Sequence, residues 1–299
     1  MDTTPHWERR GFEDLYRYLN LRTPEGSPPS SYTLFIGTGG MQFDERRRDL
    51  SEAERVFQGV LPRHNPVFDY AESMEQIRGK IENIRRLGEL GVEIGSHTVR
   101  HERGGEWTAA QWEHEIADHE RILDLVQLPH PVGFRAPFLA TNEHMYTALI
   151  AHHYRYDCSR TANSRVWPMR YPGTAAPDGT GLWQFGIPSV MIPGRDRPAL
   201  LYDLNMEERL RRAAVAAGED EESEILRWMD DAFYRAIDAE FRRRYRGARA
   251  PFLISGHGGF RDPITRFMRR VCRMDHVRCA TFREVVDYME AHPEMEGAR

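Results

Sequence analysis

Short apolar runs alternate with amphipathic helical segments along most of this chain, and that alternation limits its fold more than any other feature. Residues 32–37, 92–94, 129–134, 154–157, 182–187, 200–202, 252–255 and 277–280 read as strands. Strands this apolar belong in a sheet covered on both faces, which is the habit of parallel sheets. Helices are expected between them. Residues 72–90 carry Met74, Ile77, Ile81, Ile84 and Leu87 at helical spacing, with Ser73 placed to cap. Thr108-Ala109-Ala110-Gln111 has the form of a capping box and opens a helix with the stripe Trp112, Ile116, Leu123 and Val126. Further helices are expected at 11–19, near 50–57, from the cap Asn142 to 151, at 207–217, 222–244, 264–272 and 281–291. Residues 22–31, much of 43–70 and 159–181 read as loops. The fold class is therefore α/β, with mostly parallel strands surrounded by helices. No linker or repeat divides the 299 residues, so a single domain over 1–299 is expected, with a helical insertion at about 204–247.

Composition excludes several classes of function. A net charge of −5 gives no global field for nucleic acid or anionic lipid. The arginines at 242–246 suit a helix C-terminus better than a nucleic-acid patch. No apolar run reaches the length of a membrane span, and the first residues have no apolar signal core, so a cytoplasmic location is expected. Cys158, Cys272 and Cys279 are odd in number and lack C-x-x-C spacing, so no disulfide framework is expected.

Open parallel sheets and barrels place ligands beyond the C-terminal strand ends. Past residue 36 comes Thr38-Gly39-Gly40, and past 94 come His97 and His101. Past 134 comes Arg135-Ala136-Pro137-Phe138, Asp157 closes the next strand, and His257 follows residue 254. Two imidazoles four residues apart can converge on one zinc-like ion. Glycine on both sides of His257 suggests close backbone packing around a functional group. His114, His119, His152 and His153 read as helix-surface residues, and Trp107, Trp112, Trp183 and Trp228 as core rather than sugar platforms.

These residues carry a family resemblance. The segment Leu90-Gly91-Val92-Glu93-Ile94-Gly95-Ser96 followed by His97-Thr98-Val99-Arg100-His101 resembles the histidine motif of polysaccharide deacetylases of the NodB-homology class (carbohydrate esterase family four). Arg135-Ala136-Pro137-Phe138, Tyr156-Asp157-Cys158-Ser159 and Ile254-Ser255-Gly256-His257 are similar to three further motifs of that family, in the same order. The resemblance runs from about Gly11 to about Ala291. It implies a distorted (β/α) barrel and a divalent metal, most often zinc, on His97, His101 and an Asp. It implies His257 as the acid that protonates the departing amine, and the Phe138 backbone N–H as part of the oxyanion site. Arg135 and Asp157 would orient and tune the base.

The implied reaction removes acetyl groups from N-acetylated sugars or cleaves a related amide. The family's first motif supplies both the base and the metal carboxylate. This chain begins Met1-Asp2-Thr3-Thr4, about where that motif ends. Asp2 is then the implied third ligand, with the base upstream of Met1 or lost. Asp44 follows a different strand and is a poor substitute for that base. The alternatives are a small-molecule or cyclic amide hydrolase on the same scaffold, or a non-catalytic carbohydrate-binding relative. Expected partners are a carbohydrate or small amide, with no nucleic acid and no membrane. Oligomeric state is not legible.

Overall fold

The computed structural model describes residues 32–44, 46–59, 70–162, 167–172, 181–193, 196–257 and 259–295. In chain order the elements are β1 (Thr33–Ile36), β2 (Phe43–Asp44), α1 (Glu52–Arg55), β3 (Gln58–Gly59), α2 (Met74–Glu89), β4 (Glu93–Ser96), α3 (Ala109–Leu125), β5 (Gly133–Phe134), α4 (Glu143–Ala151), β6 (Tyr156–Ala162), β7 (Met169–Arg170), β8 (Trp183–Val190), β9 (Ala199–Leu200), α5 (Asp203–Ala216), α6 (Glu222–Arg246), α7 (Arg261–Val271) and α8 (Phe282–Ala291). The helix expected at 11–19, the loop at 22–31 and Asp2 lie outside the described residues.

Local chemistry sets the helix starts. Ser73 Oγ accepts the Gln76 N–H at 3.3 Å, and Asn142 Oδ1 accepts that of Met145 at 2.9 Å. Thr108 and Gln111 form the reciprocal capping box that the sequence signals.

The sheet runs β1-β4-β5-β6-β8-β7, with β9 also on β8. β1, β4, β5, β6 and β8 pair in parallel, while β7 and β9 pair antiparallel with β8. Both faces are covered. Leu34 and Ile36 of β1 pack with Ile77, Ile81 and Ile84 of α2. Phe35, between them, packs with Tyr156, Trp183, Phe185 and Val286. A third cluster holds α5, α6 and α7 together through Met206, Leu210, Phe233, Ile237 and Phe267.

Register fixes what stands at the sheet's edge. Ile36 lies beside Ser96, Ser96 beside Phe134, Phe134 beside Asp157, and Asp157 beside Gln184. One row therefore crosses five strands, and the residues after it emerge together.

Several expectations need correction. Residues 252–255 form no ladder among the described residues; one parallel bridge, Tyr202 to Ser255, stands there. Residues 277–280 form no strand among the described residues. A short apolar run has the same pattern whether it joins a ladder or packs as coil, and neighbours decide which. Met169–Arg170, placed in a loop by sequence, pairs antiparallel with β8. β6 does not end at Asp157 but bulges between Asp157 and Arg160 and continues. α5 begins at Asp203, four residues earlier than expected. The arginines closing α6 pair with the helix's own acids, Arg242 with Asp238, and Arg243 and Arg244 with Glu240. No helix among the described residues is long and apolar enough to cross a membrane.

Cys272 and Cys279 form a disulfide, contrary to the expectation of none. The turn after α7 brings their Cα atoms to 5.5 Å, within disulfide reach. Denatured, unreduced protein should titrate one thiol, Cys158, and reduced protein three. Closing so short a loop should stabilise the fold by about 2 kcal/mol on the chain-entropy account, read as a drop in the urea midpoint on reduction. Three thiols without reductant would contradict the bridge.

Candidate active site

The histidine loop leaves β4 at Ser96. His97 and His101 are both buried, with ring centroids 4.8 Å apart and planes at 70°. His97 Nδ1 lies 2.7 Å from the Arg135 carbonyl oxygen. A carbonyl only accepts, so Nδ1 donates and the ring's lone pair sits on Nε2, as in metal-ligating histidines oriented by a backbone carbonyl.

The loop uses an unusual backbone. Thr98 has φ 66° and His101 φ 51°. Left-handed geometry costs a β-branched residue in particular, and persists where surroundings over-determine it. Here the Thr98 carbonyl accepts the Thr38 N–H at 3.1 Å, and Thr98 Oγ1 accepts the His101 N–H at 3.1 Å. Gly95 meets the same crowding, since a Cβ there would lie 2.5 Å from the Phe35 ring.

Arg135 is buried and donates its N–H to the Ser96 carbonyl at 3.0 Å. Its Nη2 reaches Ser255 Oγ at 3.0 Å, and its guanidinium lies 4.8 Å from the Phe35 centroid. Asp157 is fully buried beside it in the sheet row. Burial pushes its carboxyl up to about 6, against the opposing pull of the Ser159 hydroxyl and the Arg135 charge. Ser159 Oγ donates to Asp157 Oδ1 at 2.5 Å and accepts the Ala136 N–H at 2.7 Å. That hydroxyl ties the carboxylate to the Arg-Ala-Pro-Phe loop. Phe138, with φ 57°, puts a half-exposed ring 5.2 Å from that of His101.

His257 has a partner that the sequence did not reveal. Asp203, the first residue of α5, places Oδ1 3.1 Å from His257 Nδ1. Its Oδ2 accepts the backbone N–H groups of His257 at 2.6 Å and Gly259 at 3.0 Å. Burial raises the Asp203 carboxyl, but the His257 ring and these two N–H groups outweigh it and hold it below its usual value. The Tyr202 hydroxyl stands 3.0 Å from His257 Nε2. Gly256 is required by close approach, since a Cβ there would lie 2.7 Å from Asp203 Cγ. The signal was present: Asp203 follows the apolar run 200–202, the same strand-end position that singled out the other candidates.

Two contacts join the halves. Arg135 meets Ser255, and Ser255 bridges to Tyr202, next to Asp203. His97, Arg135, Asp203 and His257 thus belong to one connected edge of the sheet. A cavity of about 320 Å³ touches Arg135 and Ser255 but is lined mainly by residues between Phe241 and Val285, and none of His97, His101, Asp203 and His257 lines it.

His119, read from sequence as a surface residue, is fully buried, and burial lowers it to about 4, leaving a neutral ring. His114 and His153 are exposed, and His152 pairs with Glu113 and Glu120. Trp112 and Trp183 are fully buried, while Trp107 and Trp228 are partly so. Asp44 is taken up by Arg46.

The two histidines fit a divalent metal by donor type and by the tautomer of His97. Among the described residues no group of three His, Cys, Asp or Glu side chains is arranged to hold one, and the implied third ligand, Asp2, is not among them.

The sequence model of the polysaccharide deacetylase family matches residues 67–156. No curated protein matches the chain at a significant level. Among solved structures, the chain is similar to a Mycobacterium smegmatis protein described as a polysaccharide deacetylase, at 18% identity and TM-score 0.57 over 96% of this chain and 79% of that one. It is similar to a Pseudomonas aeruginosa PAO1 protein of the same description, at 16% identity and TM-score 0.55 over 96% and 75% of the two chains. PuuE allantoinase matches at 16% identity and TM-score 0.51 over 97% and 74%. At these identities the likeness shows the fold, a distorted (β/α) barrel with mostly parallel strands. The family match lies across the histidine motif and the strands that follow it, so residues 67–156 are similar to polysaccharide deacetylases, and the fold around them is the one those solved structures share.

Proposed function

We propose that this protein is a metal-dependent hydrolase that removes acetyl from N-acetylated sugars or a related amide. The observation that carries this reading is the connected edge from His97 through Arg135 and Ser255 to the Asp203–His257 pair. His97 and His101 would hold a divalent cation, zinc being well suited to imidazole, with Asp2 as the proposed carboxylate ligand. When bound, such a metal supplies Lewis-acid polarisation of the carbonyl and an acidified water.

The chain's own groups supply the rest. Asp203 accepts from His257 Nδ1–H, fixes the ring's orientation and stabilises its protonated form. Nε2 then carries the proton that the departing amine takes up. The Phe138 N–H is the proposed donor to the developing oxyanion. Arg135, with its carbonyl on His97 and its guanidinium on Ser255, holds the two halves in place, and Asp157 adds charge beside it. For location, the Cys272–Cys279 bridge favours an oxidising compartment over the cytoplasm that the sequence suggested.

Metal analysis tests the reading. Purified wild type should carry stoichiometric divalent metal, and His97→Ala and His101→Ala should lose it. Acetate release from N-acetylglucosamine oligomers should exceed turnover of small cyclic amides. The reverse preference would favour the small-amide reading. Sugar binding without turnover would favour a non-catalytic carbohydrate-binding protein. Wild type free of metal would sink the proposal.

A further inference from the structure

Glu115 and His119 lie four apart on α3 and are both fully buried, on the stripe that also holds Trp112, Ile116, Ile122 and Leu123. Polar groups on the apolar face of a helix need a reason, because burial without partners is costly. Their partners are all in one place. Glu115 Oε1 accepts the N–H groups of Val99 at 2.8 Å and Arg100 at 2.7 Å, and Oε2 takes Arg100 Nε at 2.5 Å. His119 Nδ1 faces the Thr98 carbonyl at 3.2 Å and Thr38 Oγ1 at 3.1 Å. Since the carbonyl only accepts, His119 donates from Nδ1.

These contacts take hold of each residue between His97 and His101. That stretch begins and ends in left-handed backbone, Thr98 at φ 66° and His101 at φ 51°. Neither residue prefers that conformation, and the turn it makes is what brings the rings to 4.8 Å. A two-oxygen acceptor under adjacent N–H groups and a donor under the preceding carbonyl hold the loop in that turn.

We propose that Glu115 and His119 are positioning residues, which hold the His97–His101 loop in the strained turn that converges the two imidazoles. The proposal rests on the metal-site reading for its function and on the contacts above for its geometry. It assigns to α3, outside the histidine motif itself, a share in metal affinity.

The test uses the full chain with Glu115→Gln, His119→Leu and His119→Asn, the last keeping a donor near the place of Nδ1. Two quantities are read. One is zinc affinity of metal-stripped protein by competition with a chelating dye. The other is the imidazole 15N spectrum of His97 and His101 without metal. Glu115→Gln and His119→Leu should weaken zinc binding about 10- to 100-fold, the range typical of groups behind the ligands. They should also shift or broaden the His97 and His101 signals, and His119→Asn should restore both. Folded Glu115→Gln and His119→Leu proteins with wild-type affinity and spectra would overturn the proposal. A wild type that binds no zinc defeats the functional reading instead; the metal-free spectra then decide the positioning role. If His119→Leu does not fold, a His119→Asn protein that folds but has weakened zinc binding and altered spectra overturns the assignment of His119.

Discussion

His257→Ala should lower kcat by about 10²- to 10⁴-fold, the range that general acid–base groups contribute, while metal content stays at the wild-type level. The argument is geometric. His257 is the imidazole on this edge whose Nδ1 meets a carboxylate, Asp203, and whose Nε2 meets a hydroxyl, that of Tyr202. Asp203→Asn should lower kcat as well, because the neutral amide no longer stabilises the charged ring. It should also cost stability at neutral pH. The folded-state pKa of Asp203 is depressed, so its contribution is present above the usual carboxylate value and is lost as pH falls through the folded value. Steady-state rates, metal content and urea midpoints at pH 5 and 8 separate these effects. A His257→Ala enzyme with wild-type kcat would remove His257 from the mechanism.

Asp157→Asn should do the opposite to stability. The Asp157 carboxyl rises from 3.8 to about 6 on folding, which corresponds to about 3 kcal/mol. The fold favours the protonated form. Its contribution is therefore fully present below pH 3.8 and is lost as pH rises through 6, leaving a penalty at pH 8. Asparagine keeps an oxygen for the Ser159 O–H and N–H, and its amide takes the place of Oδ2, which has no described hydrogen-bond partner. The variant should gain up to about 3 kcal/mol over wild type at pH 8 and little at pH 4. Its activity should fall, because the negative charge beside Arg135 is gone. Urea unfolding across that range checks it, and a stability difference independent of pH would refute the account. A carboxylate retained at such a cost is what a site shaped for chemistry rather than stability would show.

What the sequence determined by itself was local. Ser73, Thr108 and Asn142 cap helices because each acceptor lies three residues from its donor, a distance that the chain alone sets. The strand ends at 36 and 134, and that of β4 to within two residues (94 from sequence, Ser96 in the structure), were legible because short apolar runs closed by small or polar residues have few other uses in an α/β chain. With them came His97, His101, Arg135 and His257, though not the geometry that joins them.

Tertiary structure alone decided the pairings. Asp203 meets His257 across 54 residues, and no pattern near either one encodes that meeting. Cys272 reaches Cys279 because α7 ends in a turn rather than running on into a strand. Glu115 and His119 stood on the apolar stripe of α3 all along, but what lay beneath that stripe was not legible. It is the histidine loop, brought there by the parallel register of β1, β4 and β5. Capping and periodicity act over one helical turn, so sequence shows them. Contacts between distant segments depend on sheet register and on which face of a helix meets which loop, and those follow only when the whole chain packs.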